Sequence, residues 1–255
     1  MIYYLQAGCP GVLIAPGISL CCLNQSPVSM PAVDAQQFAE VMALHELQVP
    51  AEQVQQLVRY CELLWEWNEK INLTRHTTIE KFVTRDLIDS IQLAQLISPE
   101  EKVLDVGSGG GVPGIILGIL RPDLEISLSE SVGKKARVLA DLVTQLALQI
   151  KVYPVRAEHA LNDSSFDVLV ARAVGPLWKI CRWFEPHWPT IRRLLAVKGS
   201  QWVEERHEAR QQGYLKQVEL RRAASYHSPA TGANHVILKL WSKTLPETGP
   251  ASKAS

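Results

Sequence analysis

The hydrophobic pattern of the chain changes period near residue 100. Before that point apolar side chains recur at helical spacing. Phe38, Val41, Met42, Leu44 and Leu47 form one stripe, with Asp34 placed as its N-cap. Val54, Leu57, Val58, Cys61, Leu64 and Trp65 form a second, with Pro50 near its start. Leu87, Ile88, Ile91, Leu93 and Leu96 form a third, closed by Pro99. After residue 100, short apolar runs alternate with stretches of helical length. KVLDV, EISLSE, IKVYPV, FDVLVA and LLAVKG are five strand candidates, and their alternation with helices predicts a parallel sheet covered on both faces. LKQVELRR and HVILKL have no long helix between them and predict an antiparallel pair. The expected architecture is α/β: a helical subdomain over 31–100, a mostly parallel seven-stranded sheet over 101–241, and a flexible tail over 242–255.

Composition narrows the class. Hydrophobic residues make up 47% of the 255 and charged residues 20%, which suits a soluble chain with one sizeable core. No apolar run approaches the roughly 18 residues of a membrane span, so no membrane partner is expected. Residues 1–30 contain no charged side chain, and Pro10, Pro16 and Gly17 interrupt their apolar character. They lack the positive start of a secretory signal and are expected to be disordered or an over-extended gene start. The cysteines Cys9, Cys21, Cys22, Cys61 and Cys181 are odd in number and form no CxxC pair. That argues against a disulfide framework or a metal site and fits a reducing, cytoplasmic setting. Cys61 and Cys181 sit in helical patterns and are expected to fill core.

Formal net charge is zero, yet the charge is unevenly spread. Residues 31–100 carry 5 basic and 11 acidic side chains, whereas 172–240 carry 12 and 5. The basic third is either a solvated surface varying by chance or a face that meets a polyanion. Arg192 and Arg193 illustrate the choice: they face RNA, or they serve the start of the fifth strand. Trp178, Trp183, Phe184 and Trp188 lie in the same region and are expected mostly to pack the core, with base stacking as the alternative.

Chemistry concentrates in LDVGSGGGVPG, residues 104–114. In an open α/β sheet, ligands bind beyond the C-terminal ends of the strands. Asp105 falls at the end of the first strand, and Gly107, Gly109, Gly110 and Gly111 form the turn after it. The turn lacks the lysine of a phosphate-binding GxxxxGK[ST] loop and matches GxGxxG only loosely. Glu130 closes the second strand 23 positions after Gly107, where a carboxylate can accept both hydroxyls of a ribose. Glu158 follows the third strand, where a pocket meets an adenine. NAD and S-adenosylmethionine both satisfy a ribose carboxylate. Asp105 beside the turn suits an ammonium group better than two phosphates, which favours the methyl donor; a strand-end cap remains its plain alternative.

The ordered set WNEKINLT (67–74), RDLIDS (85–90), LDVGSGGGVPG, SVGKK after Glu130, RAE (156–158), ARA (171–173) and AVKG (196–199) resembles the glucose-inhibited division protein B family. These are bacterial 16S ribosomal RNA (guanine-N7)-methyltransferases, type G among the enzymes that modify small-subunit RNA. The resemblance runs from about residue 34 to 240. It implies a class I (Rossmann-like) S-adenosylmethionine-dependent methyltransferase fold with a helical N-terminal extension. It also implies S-adenosyl-L-methionine as cofactor and 16S ribosomal RNA as partner, within a small ribosomal subunit or an assembly intermediate, with the chain acting as a monomer.

Carried onto this chain, the resemblance implies cofactor contacts at Gly107, Gly109, Val112, Glu130, Ala157 and Glu158, alongside Asp105. Arg172 matches the arginine near the methyl-transfer point and Asn72 the asparagine of the same mouth; Lys134 and Lys135 match a basic pair. Three departures stand out. Asp86 occupies the histidine position of RHILDS, Asn234 replaces the arginine before His235, and GSGGG replaces GTGPG. Asp86 and Asn234 are expected to remove positive contacts from an RNA face. A methyltransferase for a protein or small molecule, and a non-catalytic RNA-binding scaffold, are the competing readings.

Overall fold

A computed structural model of the protein describes residues 33–245. The expectations for residues 1–30 lie outside this range, as do most of those for the tail. Helix α1 (Ala35–Leu44) starts at Asp34, whose carboxylate accepts the N–H groups of Gln36 and Gln37. Helix α2 (Ala51–Asn68) follows Pro50. The third helix begins earlier than its apolar stripe suggests. Its first turn, α3 (Ile79–Lys81), is capped by Thr78 and runs through a π-helical stretch, Phe82–Leu87, into α4 (Ile88–Ala94). A π stretch is a wider turn that a 3.6-residue period does not register.

The strands fall where the apolar runs place them: β1 (Lys102–Val106), β2 (Glu125–Ser129), β3 (Lys151–Tyr153), β4 (Val168–Arg172), β5 (Arg193–Lys198), β6 (Val218–Ser228) and β7 (Ala233–Ser242). The helices between them are α5 (Gly114–Leu120), α6 (Gly133–Gln145), α7 (Ala157–Asp163), α8 (Leu177–Trp183) and α9 (Trp202–Gln211). The seven strands form one sheet in the order β3-β2-β1-β4-β5-β7-β6. Strands β1 to β5 pair in parallel, and β7 runs antiparallel between β5 and β6.

Alternation along each strand divides the core in two. Val103, Ile126, Val168, Val170 and Leu195 face the cluster that contains α1 to α6. Leu104, Val106, Leu169, Ala171 and Leu194 face α7 to α9. The N-terminal helices are thus part of one sheet's covering layer. Tyr60 makes the join specific, donating its hydroxyl to the Gly110 carbonyl at 2.8 Å. Cys61 and Cys181 are buried, and burial pushes the Cys181 thiol up to about 12.

Several basic side chains of the C-terminal third are spent inside the fold. Arg193 is 2% exposed and grips both oxygens of Glu101, at 2.7 and 2.5 Å. Arg192 pairs with Asp167, and Lys198 with Glu205, each at 2.7 Å. Arg193 therefore holds the start of β5 rather than an RNA face, while Arg192 stays exposed in its pair; carboxylates from the loops before β1 and β4 converge there. Removing one partner of a buried pair strands the other charge, which costs about 3–5 kcal/mol. Arg193→Ala should lower the urea-unfolding free energy by about 3 kcal/mol, whereas Arg192→Ala, in an exposed pair, should change it by less than about 1 kcal/mol. Equal effects would contradict this division.

Candidate active site

Parallel strands end together, so the loops after β1, β2, β3 and β4 meet at one edge of the sheet. A cleft of about 310 Å³ opens there, lined by Val106, Gly107, Ser129, Ser131, Arg156, Ala157, Glu158, Ala173, Val174 and Trp183. The backbone is unusual on both sides of it. Gly107 has φ +67°, and a Cβ at that position would lie 2.9 Å from Val174 Cγ1. Across the cleft Ala173, a non-glycine residue, holds φ +56°. Such outliers persist where the surroundings force them.

Glu130 ties the two loops at the cleft together. Its Oε2 accepts from the Gly109 N–H at 3.0 Å and its Oε1 from the Val132 N–H at 2.7 Å. Asp105 behaves differently. Alternation turns it away from Val106 and under the glycine turn, where Oδ2 accepts from the Gly114 N–H at 3.1 Å and Oδ1 is buried without a hydrogen-bond partner among the described residues. Burial pushes its carboxyl up to about 7. Gly114 is required there, because a Cβ would collide with Leu128 and sit 2.7 Å from Asp105 Oδ2.

Arg172, the last residue of β4, enters a buried polar network beside the cleft. Its Nη2 donates to Asp86 Oδ1 and its Nε to Asp89 Oδ2, both at 2.6 Å. Asp86 also takes the Nδ1 hydrogen of His76, 2.8 and 2.9 Å from its two oxygens. Asp89 takes the Tyr226 hydroxyl at 2.7 Å and lies 3.3 Å from His235 Nδ1. Burial would raise the Asp89 carboxyl, but the His235 and Tyr226 hydrogen bonds and the Arg172 charge outweigh it and hold it below its ordinary value. Burial likewise opposes the Arg172 charge, and the two carboxylates overcome it.

This sheet order and strand-end cleft can be compared with known proteins. The family described as rRNA small subunit methyltransferase G matches residues 53–236. The chain belongs to this family. A ribosomal RNA small subunit methyltransferase G from Rhodopirellula baltica is 59% identical over 170 residues, covering 67% of this chain and 74% of that protein. One from Streptococcus pneumoniae serotype 19F is 33% identical over 221 residues, covering 84% and 93%. Among solved structures, the O-methyltransferase from Bacillus cereus in complex with SAH aligns with a TM-score of 0.54 at 13% identity, over 82% of this chain and all of that one. At that identity the likeness speaks to the fold alone, and the fold is that of a class I methyltransferase.

The residues singled out from the sequence are not all brought together. Gly107, Ala157 and Glu158 line the cleft, while Gly109 and Glu130 hold its loops. Asp105 lies beneath it, and Val112 is partly buried against the core and outside the lining. Arg172 is not a free cation at the mouth, because two carboxylates hold it. Asn72 is exposed and outside the lining; its loop is ordered by Asn68, whose Oδ1 accepts from Leu73 and Thr74 N–H at 2.8 and 2.9 Å. Lys134 and Lys135 open α6, at the same sheet edge. Among the four aromatics, Phe184 and Trp188 are buried in the core and Trp178 stacks on Tyr214; Trp183 reaches the cleft. Sequence reading missed His76 and Tyr226 and named His235 only as the neighbour of Asn234; no local spacing connects the three to Arg172.

Asp86 needs correction. It is 1% exposed and meets no phosphate; its carboxylate serves Arg172 and His76. Placing histidine there, as the resembling RHILDS motif has it, would replace the carboxylate that accepts from both Arg172 and His76 with an imidazole that offers at most one acceptor. Asp86→His should therefore destabilise the protein by about 3–5 kcal/mol, read as a lowered midpoint in urea; an unchanged midpoint would refute the network.

Asp105 generates a pH effect. A carboxyl that ionises near 7 when folded and near 4 when unfolded lets the folded state hold the extra proton between those values. Its contribution therefore makes stability fall as pH rises through that window. Asp105→Asn removes the term, so its stability relative to wild type should grow by on the order of 3 kcal/mol between about pH 4.5 and about pH 7.5. A difference that stays flat in paired urea titrations would show that Asp105 ionises normally.

Proposed function

We propose that this chain transfers a methyl group from S-adenosylmethionine to N7 of a guanine in 16S ribosomal RNA. The observation that carries the reading is the cleft itself: a glycine-floored site at the C-terminal strand ends, braced by a carboxylate that closes β2. The residues fit such a donor. Each Glu130 oxygen accepts one backbone N–H and keeps a second lone pair for a ribose hydroxyl. The bare Cα of Gly107 permits close approach, and Ala157 and Glu158 form the wall suited to an adenine. The unpartnered Asp105 Oδ1 lies under the turn that would meet the amino-acid end.

When bound, S-adenosylmethionine supplies an electrophilic methyl group on a sulfonium. The demands left to the protein are modest. Guanine N7 carries an in-plane lone pair and needs no deprotonation, so no general base is required, and orientation supplies most of the catalysis. The methylated base gains positive charge. Arg172 stands beside the cleft with its charge balanced by Asp86 and Asp89, so it does not oppose that charge as a bare cation would. Asn72 keeps the role that the family resemblance implies for it only if its exposed loop after α2, outside the lining, meets the incoming base. A target within the small ribosomal subunit or an assembly intermediate, a monomeric acting species and a cytoplasmic site complete the reading.

The test is to map N7-methylguanine in 16S RNA from cells with and without the gene; identical maps would overturn the reading. At the cofactor level, Glu130→Ala should weaken S-adenosylmethionine binding roughly tenfold or more, since a charge-assisted hydrogen bond contributes about 1.5–3 kcal/mol. Unchanged affinity by calorimetry, with the fold intact, would remove the ribose role of Glu130.

A further inference from the structure

A second basic feature lies away from the cleft. Helix α9, the start of β6 and the residue after β7 enclose a groove of about 240 Å³ that includes Arg206, Arg210, Lys216 and Lys243, with Leu220 and one carboxylate, Glu219. Its place follows from the register. Strand β7 is antiparallel to β5, with Leu240 opposite Leu194, and Val218 of β6 pairs with Ser242. The groove therefore sits at the edge where the parallel strands begin, about one strand length, roughly 17 Å, from the cleft edge.

Two observations describe the charge of this groove. First, none lies in an ion pair with a carboxylate among the described residues, whereas Arg172, Arg192, Arg193 and Lys198 all do. Arg206 rests over the Trp202 ring at 5.2 Å, and Lys243 donates to the Lys216 carbonyl at 2.9 Å; both contacts hold the side chain and leave its charge uncancelled. Second, α9 sorts its charges. Arg206 and Arg210 are four residues apart and share a face, about 160° around the helix from Glu208, while Glu205 is taken up by Lys198. A neutral chain thus presents a local surplus of positive charge in a concave site.

We infer that this groove docks a phosphate backbone of the substrate RNA, remote from the nucleotide being methylated. Four cations gathered at one groove can neutralise several phosphates at once, and such contacts position a substrate without reading its bases. The inference rests on the proposed RNA substrate, and extends it to a second site of contact.

The test uses the full chain with Arg210→Glu and Lys216→Glu together. Filter binding to purified 16S ribosomal RNA, across a salt series, should show affinity reduced roughly tenfold. The slope of log affinity against log salt should fall by about 1 for each phosphate contact removed. S-adenosylhomocysteine affinity, thermal unfolding and methylation of a short RNA carrying only the target loop should match wild type. Equal RNA affinity and slope for variant and wild type would overturn the inference. A loss seen with assembled subunits but not with naked 16S RNA would assign the groove to a ribosomal protein and also overturn it. If wild type methylates no RNA yet the variant still binds 16S RNA more weakly, the docking groove stands and the methyltransferase reading fails.

Discussion

One buried cation organises this molecule. Arg172 ends the central strand β4, and burial there is unfavourable unless its charge is met. Asp86 and Asp89 meet it from the π-helical stretch and α4, at 2.6 Å each. The same two carboxylates collect His76 from the loop after α2, and Tyr226 and His235 from the C-terminal hairpin. Three regions far apart in sequence are thereby committed to one register. A slip of any one would leave a charge or a hydroxyl buried without a partner. The network also sets the electrostatics beside the cleft, where an arginine that could seek anions has its charge balanced instead.

The cleft depends on a different constraint, the close approach of backbone to backbone. Gly107 leaves room that Val174 would otherwise deny, and Gly114 lets α5 settle against Leu128 and Asp105. Glu130 then joins the two loops through backbone N–H groups, so the fold itself shapes the floor. Asp105 is the tension in this arrangement: a buried carboxyl with one satisfied oxygen, its ionisation pushed by burial up to about 7. It lies beneath the cleft floor, tied to the Gly114 N–H at the start of α5.

Charge sorting connects the fold to the substrate. Packing splits the basic surplus of the C-terminal region. Arg193 and Lys198 are interior ties, while Arg206, Arg210, Lys216 and Lys243 stand around a groove. A polyanion cannot reach the first set, so the net charge of a segment is a poor guide to where RNA lies.

The sequence by itself determined the strands, because a run such as KVLDV can satisfy period 2 and burial on both faces only within a covered parallel sheet. It also determined the glycine turn and the places of Glu130 and Glu158, since these follow from position after a strand end; that Glu130 braces the turn through the Gly109 and Val132 N–H groups is visible only in the structure. It did not determine what Asp86, Arg172 or Arg193 touch. Their partners are 86, 83 and 92 residues away, and a charged side chain carries no local mark of whether it meets solvent, phosphate or a buried carboxylate. Only the tertiary structure decides that, because the cost of an unpaired charge exists only once packing has removed the water.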